Sequence, residues 1–181
     1  MNEGLIPRRY AKALLKFARE KGQAKEVYSL MKTLAASFVA NPGLSTAVAN
    51  PFVPAASKTS LLMTAAGATE SDTCYVDFLA LLIHNNRVAL VRETALAYLT
   101  LYREANNIFL VDLTTASPLP KEEMDRLKEL IDRHVNGATV EYHVDVDPDL
   151  IGGFVIKIDS ERLDASLKNE LKQLRLKLLS K

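Results

Sequence analysis

The chain has 181 residues, 48% hydrophobic and 25% charged, with Gly and Pro at 7 each. That composition excludes global disorder and collagen-like repeats and fits one ordinary globular domain or two small ones. Basic and acidic side chains number 23 and 22, so no overall field draws the chain onto nucleic acid or an anionic bilayer.

Helical signals fill the first 105 residues. A first helix is expected over 6–21: Pro7 suits its opening turn, Tyr10, Ala13, Leu14 and Phe17 recur at helical spacing, and Gly22 stops it. Val27, Leu30, Met31, Leu34 and Phe38 mark a second helix that ends at Asn41-Pro42. Shorter helices follow over 44–49, closed by Pro51 and Pro54, and over 55–66 before Gly67. Two longer ones are expected over 71–84 and 87–104. Cys74, the single cysteine, cannot close an internal disulfide and reads as a buried helical residue. The longest wholly apolar run, 78–83, is far short of the ~20 residues a membrane span needs.

The character changes near Asn106-Asn107. Residues 108–115 are β-branched and apolar, as in a central strand, and Met124, Leu127, Leu130, Ile131 and Val135 then mark an amphipathic helix opened by Pro120. A strand pair is expected next. In its first member Val140, Tyr142, Val144 and Val146 alternate with Glu141, His143, Asp145 and Asp147, giving one buried and one wet face. In the second, Phe154, Ile156 and Ile158 alternate with Val155 and Lys157, after a tight entry at Gly152-Gly153. Residues 164–181 return to helix. Residues 1–105 carry 12 basic and 8 acidic side chains, and residues 106–181 carry 11 and 14, consistent with two modules that meet different partners.

Arrangements that carry chemistry are scarce. Gly152-Gly153 stands without a Walker or dinucleotide fingerprint, and His84, His134 and His143 lie in separate elements without metal-ligand spacing. Asp145, Asp147 and Asp149 resemble the opening of a calcium loop, but its sixth position is Leu150 and its twelfth is Ile156, so an acidic strand edge that discourages aggregation is the better reading. No catalytic residue, cofactor or metal site is therefore assigned. An enzyme reading would use His143 with Asp145 or Asp147 as acid and base, without a nucleophile motif or oxyanion device to accompany them.

Surplus apolar surface is the stronger signal. Residues 74–83 carry one charge, Asp77, in nearly three turns, so this helix must be covered on more than one side. The first helix has a second stripe, Ala11, Leu15 and Ala18, beside Tyr10, Leu14 and Phe17. Either the chain itself surrounds these helices, or a groove between them receives an amphipathic partner helix. The groove would use Ala11, Leu15 and Ala18 with Tyr75, Val76, Leu79 and Ile83. In the last helix Leu167, Leu171, Leu174, Leu178 and Leu179 form one stripe, while Lys168, Lys172, Arg175, Lys177 and Lys181 make the rest basic. One face would pack on the sheet; the basic side is either a solvated surface or a dock for acidic helices.

Three segments carry a family resemblance: Arg9-Tyr10-Ala11-Lys12-Ala13-Leu14, Leu82-Ile83-His84-Asn85-Asn86-Arg87, and the run from Leu150 to Ile158 followed by Asp164-Ala165-Ser166-Leu167. In this order and spacing the chain resembles the delta subunit of F-type ATP synthases, the family of the oligomycin-sensitivity-conferring protein. One departure is Ala165, where the family commonly has Gly; Ala adopts a positive-φ turn reluctantly. The resemblance implies an α+β protein, with an N-terminal all-α six-helix bundle over 1–105 and a small α/β domain over 106–181. It implies a non-catalytic stator subunit. The bundle would receive the N-terminal helix of the alpha subunit, and the second domain, through Leu171, Leu174 and Leu178, would meet the b-type stalk subunits. No transit-like leader is evident, which points to a bacterial complex with this chain peripheral on the cytoplasmic face of the inner membrane, touching membrane only through the complex. A helical adaptor with an unrelated partner is also compatible with the composition.

Overall fold

The computed structural model describes residues 4–135, 137–158 and 161–179; Lys181, assigned to the basic side of the last helix, lies outside them. The chain divides at Ala105–Asn106 into two compact units. The first is helical: α1 (Leu5–Glu20), α2 (Ala24–Ala40), α3 (Gly43–Ala49), α4 (Ala55–Ala66), α5 (Thr73–His84), a short turn at Val88–Leu90, and α6 (Val91–Asn106). Its core is built from i, i+3 and i+4 positions such as Leu14 and Ala18 of α1, Met31 and Leu34 of α2, and Leu79 and Leu82 of α5, all buried. Each such leucine contributes about 1.5–3 kcal/mol by leaving water.

The second unit is a four-stranded sheet with two helices. It runs β1 (Ile108–Thr115), α7 (Lys121–His134), β2 (Thr139–Val146), a turn at Pro148–Leu150, β3 (Gly153–Ile158), β4 (Glu161–Ser166) and α8 (Leu167–Leu179). The strand order is β2-β1-β3-β4. β1 pairs in parallel with β2, Phe109 opposite Val140, and antiparallel with β3, Leu113 opposite Ile156. α7 covers one face, where Ile131 meets Val111, Leu113 and Ile156.

Three expectations change. The two strands expected to pair are separated by β1, which satisfies both of its edges at once. Residues 164–166, expected in the last helix, close a fourth strand instead. Glu161 to Ser166 has one large apolar side chain, Leu163, and so no alternation to read; the hydrogen-bond ladder to β3 is what makes it a strand. The apolar face of β2 is half-buried at Val140 and Tyr142 but open at Val144 and Val146, since edge strand β2 runs beyond the cover of α7.

Gly153 at φ +76° could not carry a side chain, because a Cβ there would collide with the Ala165 carbonyl across the β3–β4 ladder. The positive φ thus sits on Gly153, while its neighbour Ala165 is extended in β4 and tolerates its methyl group.

Candidate docking surfaces

In the helical unit α1 and α5 lie side by side and antiparallel. Thr73 and Gln23 approach to 3.5 Å at one end, and Asn85 Nδ2 donates to the Tyr10 hydroxyl at 3.1 Å at the other. The expected groove residues do not line an open surface. Ala11, Leu15, Ala18, Tyr75 and Leu79 are all core, with Leu79 wholly buried. Ala11 and Ala18 are wholly buried. The Tyr75 phenol is satisfied internally by donating to the Leu62 carbonyl at 3.0 Å, and burial pushes its pKa well up. Val76 and Ile83 are half-buried, and Val76 borders a different hollow, beside Met63 and Thr59 of α4.

A groove of about 380 Å³ nevertheless opens between α1 and the C-terminal end of α5. Ile6, Arg9, Tyr10, Ala13, Leu81 and Arg87 line it. Leu81 is 46% exposed on its wall. The sequence assigns Tyr10, Leu14 and Phe17 to the core stripe of α1; Leu14 is buried there, whereas Tyr10 and Phe17 are half-buried and Tyr10 lines the groove. The usable signal was the tyrosine itself: its ring wants cover and its hydroxyl wants a polar partner, which is the condition of a rim.

The turn after α5 sets this rim. The Arg87 N–H donates to the Leu82 carbonyl at 2.8 Å and the Asn86 N–H to the Ile83 carbonyl at 2.9 Å, with Asn86 at φ +54°. These are the two closing bonds of a left-handed helix stop, a conformation Asn tolerates better than most residues. The stop puts Asn85 on the Tyr10 hydroxyl and the Arg87 guanidinium 5.9 Å from the centre of the Tyr10 ring.

The second unit carries two uncovered apolar surfaces. α8 has no buried residue: Leu171, Leu174 and Leu178 are exposed, Leu178 by 78%, so the expected packing of one face on the sheet is absent. Lys168, Lys172, Arg175 and Lys177 are exposed on the same helix. Its start is well held. Ser166 Oγ accepts the Asn169 N–H at 3.2 Å and donates to Asp164 at 2.6 Å. That bond from Ser166, aided by Arg162, holds the Asp164 carboxyl below the usual range. The segment Asp164-Ala165-Ser166-Leu167 is therefore a helix-capping device. The other surface, not anticipated, is a hollow of about 630 Å³ between α7 and β3–β4, walled by Leu127, Leu130, Phe154, Ile158 and Leu163, with His134 and Glu161 3.5 Å apart beside it.

The titratable clusters are surface pairs. His143 Nδ1 lies 3.4 Å from Asp112 and 3.5 Å from Asp145, all three on the wet side of the sheet. Asp147 is occupied as a cap, accepting the Asp149 N–H at 3.0 Å. Cys74 is buried, and desolvation raises its thiol pKa, which disfavours the reactive thiolate.

Apolar surface left uncovered on two separate units is the form of a protein that binds other proteins. The comparisons identify which kind. The family model for the ATP synthase delta (OSCP) subunit matches residues 6–178. The chain is 38% identical over 179 residues to ATP synthase subunit delta of Parabacteroides distasonis, covering 99% of this chain and 98% of that one. It is 36% identical to the subunit of the same name from Phocaeicola vulgatus, covering 98% and 96%. Its fold resembles a chain in the cryo-EM structure of the Toxoplasma gondii mitochondrial ATP synthase hexamer, with a TM-score of 0.74 at 20% identity over 96% of this chain and 97% of that chain. The chain belongs to the ATP synthase delta (OSCP) family and is a structural subunit, not a catalyst.

Proposed function

We propose that this chain is the stator connector of a bacterial F-type ATP synthase, joining the catalytic head to the peripheral stalk so that the head is held against rotor torque during proton-driven synthesis. The N-terminal six-helix bundle receives the N-terminal helix of the alpha subunit in the α1–α5 groove. The C-terminal unit meets the b-type subunits through Leu171, Leu174 and Leu178 of α8 and the hollow beside α7. It works peripherally at the cytoplasmic face of the inner membrane; among the described residues no helix is long and apolar enough to cross a membrane.

The observation that carries this reading is that each unit keeps apolar surface uncovered after its own core is complete, most plainly on α8, where no side chain is buried. A few anchors of about 1.5–3 kcal/mol each exceed the ordering cost of a helix and need no bond chemistry. The test is complementation in a strain lacking its delta subunit. A chain ending after Ser166 should bind the alpha N-terminal peptide with parental affinity yet fail to restore coupled ATP synthesis. Leu81→Glu should show the reverse defect at the first step, with peptide binding weakened at least roughly tenfold in a folded protein. Coupled synthesis restored by the truncated chain would overturn the two-ended model.

A further inference from the structure

We propose that Arg9 and Arg87 select the helix that enters the α1–α5 groove by charge: the occupant carries a carboxylate on each shoulder of its apolar stripe, one for each guanidinium. This rests on the reading of the groove as a helix seat.

Ile6, Ala13, Leu81 and the Tyr10 ring give the groove an apolar lining, and two cations join it, Arg9 from α1 and Arg87 from the turn after α5. Among the described residues neither guanidinium has a carboxylate partner. Two exposed arginines of the second unit do have one: Arg133 lies 3.6 Å from Glu129, and Arg162 lies 3.0 Å from Asp164. Arg87 is also held in place. Its N–H is fixed to the Leu82 carbonyl, and its guanidinium is positioned over a ring whose hydroxyl is itself held by Asn85. A guanidinium held over an aromatic face keeps its edge N–H groups for an incoming carboxylate, in the fork geometry that makes such pairs strong. Two uncompensated cations at the rim repel a basic helix and reward an acidic one, so charge sets which amphipathic helix is taken as well as how fast it arrives.

The test titrates the full chain with the synthetic N-terminal peptide of its own alpha subunit, and with a version whose shoulder Asp and Glu residues are changed to Lys. Arg9→Glu/Arg87→Glu should weaken the native peptide roughly tenfold or more at low salt, the loss should shrink at high salt, and the Lys peptide should recover binding to that double variant. Should the double reversal disturb the fold by circular dichroism, Arg9→Gln/Arg87→Gln should still flatten the salt dependence of binding. Parental affinity and salt dependence in the folded variants, with Leu81→Glu still defective, would overturn charge selection and leave the groove standing. Failure of the parent chain to bind the peptide at all would overturn the groove reading and this inference with it.

Discussion

Leu79 and Leu81 are two residues apart on α5 and have opposite duties, one wholly buried and the other 46% exposed on the groove wall. Leu79→Ala should cost about 2–5 kcal/mol of stability, because it leaves a cavity in a packed interior. Leu81→Ala should change stability by no more than about 0.5 kcal/mol, as exposed positions do. Urea denaturation of the two variants measures the contrast, and equal losses would return Leu81 to the core. This pair also shows where sequence reading reached its limit. That α1 and α5 carry more apolar surface than one face needs was legible from the near absence of charge over 74–83 and the double stripe on α1. Which of these residues face inward was not, because neighbouring stripes differ by about one helical position: Leu14 of one stripe is buried along with Ala11, Leu15 and Ala18 of the other, while Tyr10 and Phe17 are half-buried. Such burial is a tertiary fact that periodicity does not encode.

At the scale of elements, legibility followed the strength of the local code. Helix ends were readable wherever Gly, Asn or Pro forces a stop: α4 ends at Gly67, which is left-handed at φ +67°, and α7 starts after Pro120. The sheet order was not readable, since placing β1 between β2 and β3 is a matter of long-range pairing. β4 was missed because its side chains carry no alternation, although its last residues, Asp164 and Ser166, hold one of the clearest local devices in the chain. Ser166→Ala should remove the oxygen that accepts the Asn169 N–H, fraying the first turn of α8 at a cost of about 1 kcal/mol. Asp164 would lose its main stabilising hydrogen bond, so its titration, followed by carboxylate NMR, should move upward toward the ordinary aspartate range. The sign is that of a depressed carboxylate: its contribution is present above the unfolded pKa and lost as pH falls. An unshifted Asp164 together with an intact first turn would show that the cap is not what holds α8.

For the whole molecule, the division at Ala105–Asn106 separates two cores with no buried residue in common, Ala11 to Leu99 in one and Val111 to Ile156 in the other. The proposed function gives each unit its own partner, and the tyrosines provide a way to test whether occupying one unit is felt by the other. Five of the six, Tyr10, Tyr28, Tyr75, Tyr98 and Tyr102, belong to the helical unit, and only Tyr142 to the other, with no tryptophan to obscure them. Tyrosine emission during thermal unfolding therefore reports mainly the first unit, while the amide infrared band of the sheet reports the second. Alpha peptide at 100 times its dissociation constant should stabilise the unit that binds it by about 2.7 kcal/mol. For a unit of this size that is a rise of roughly 10–20 °C in the tyrosine transition, at 4–8 °C per kcal/mol. The sheet transition should stay where it was. If both signals rise together, the two cores unfold as one cooperative body, and occupancy at the head end must then be felt at the stalk end.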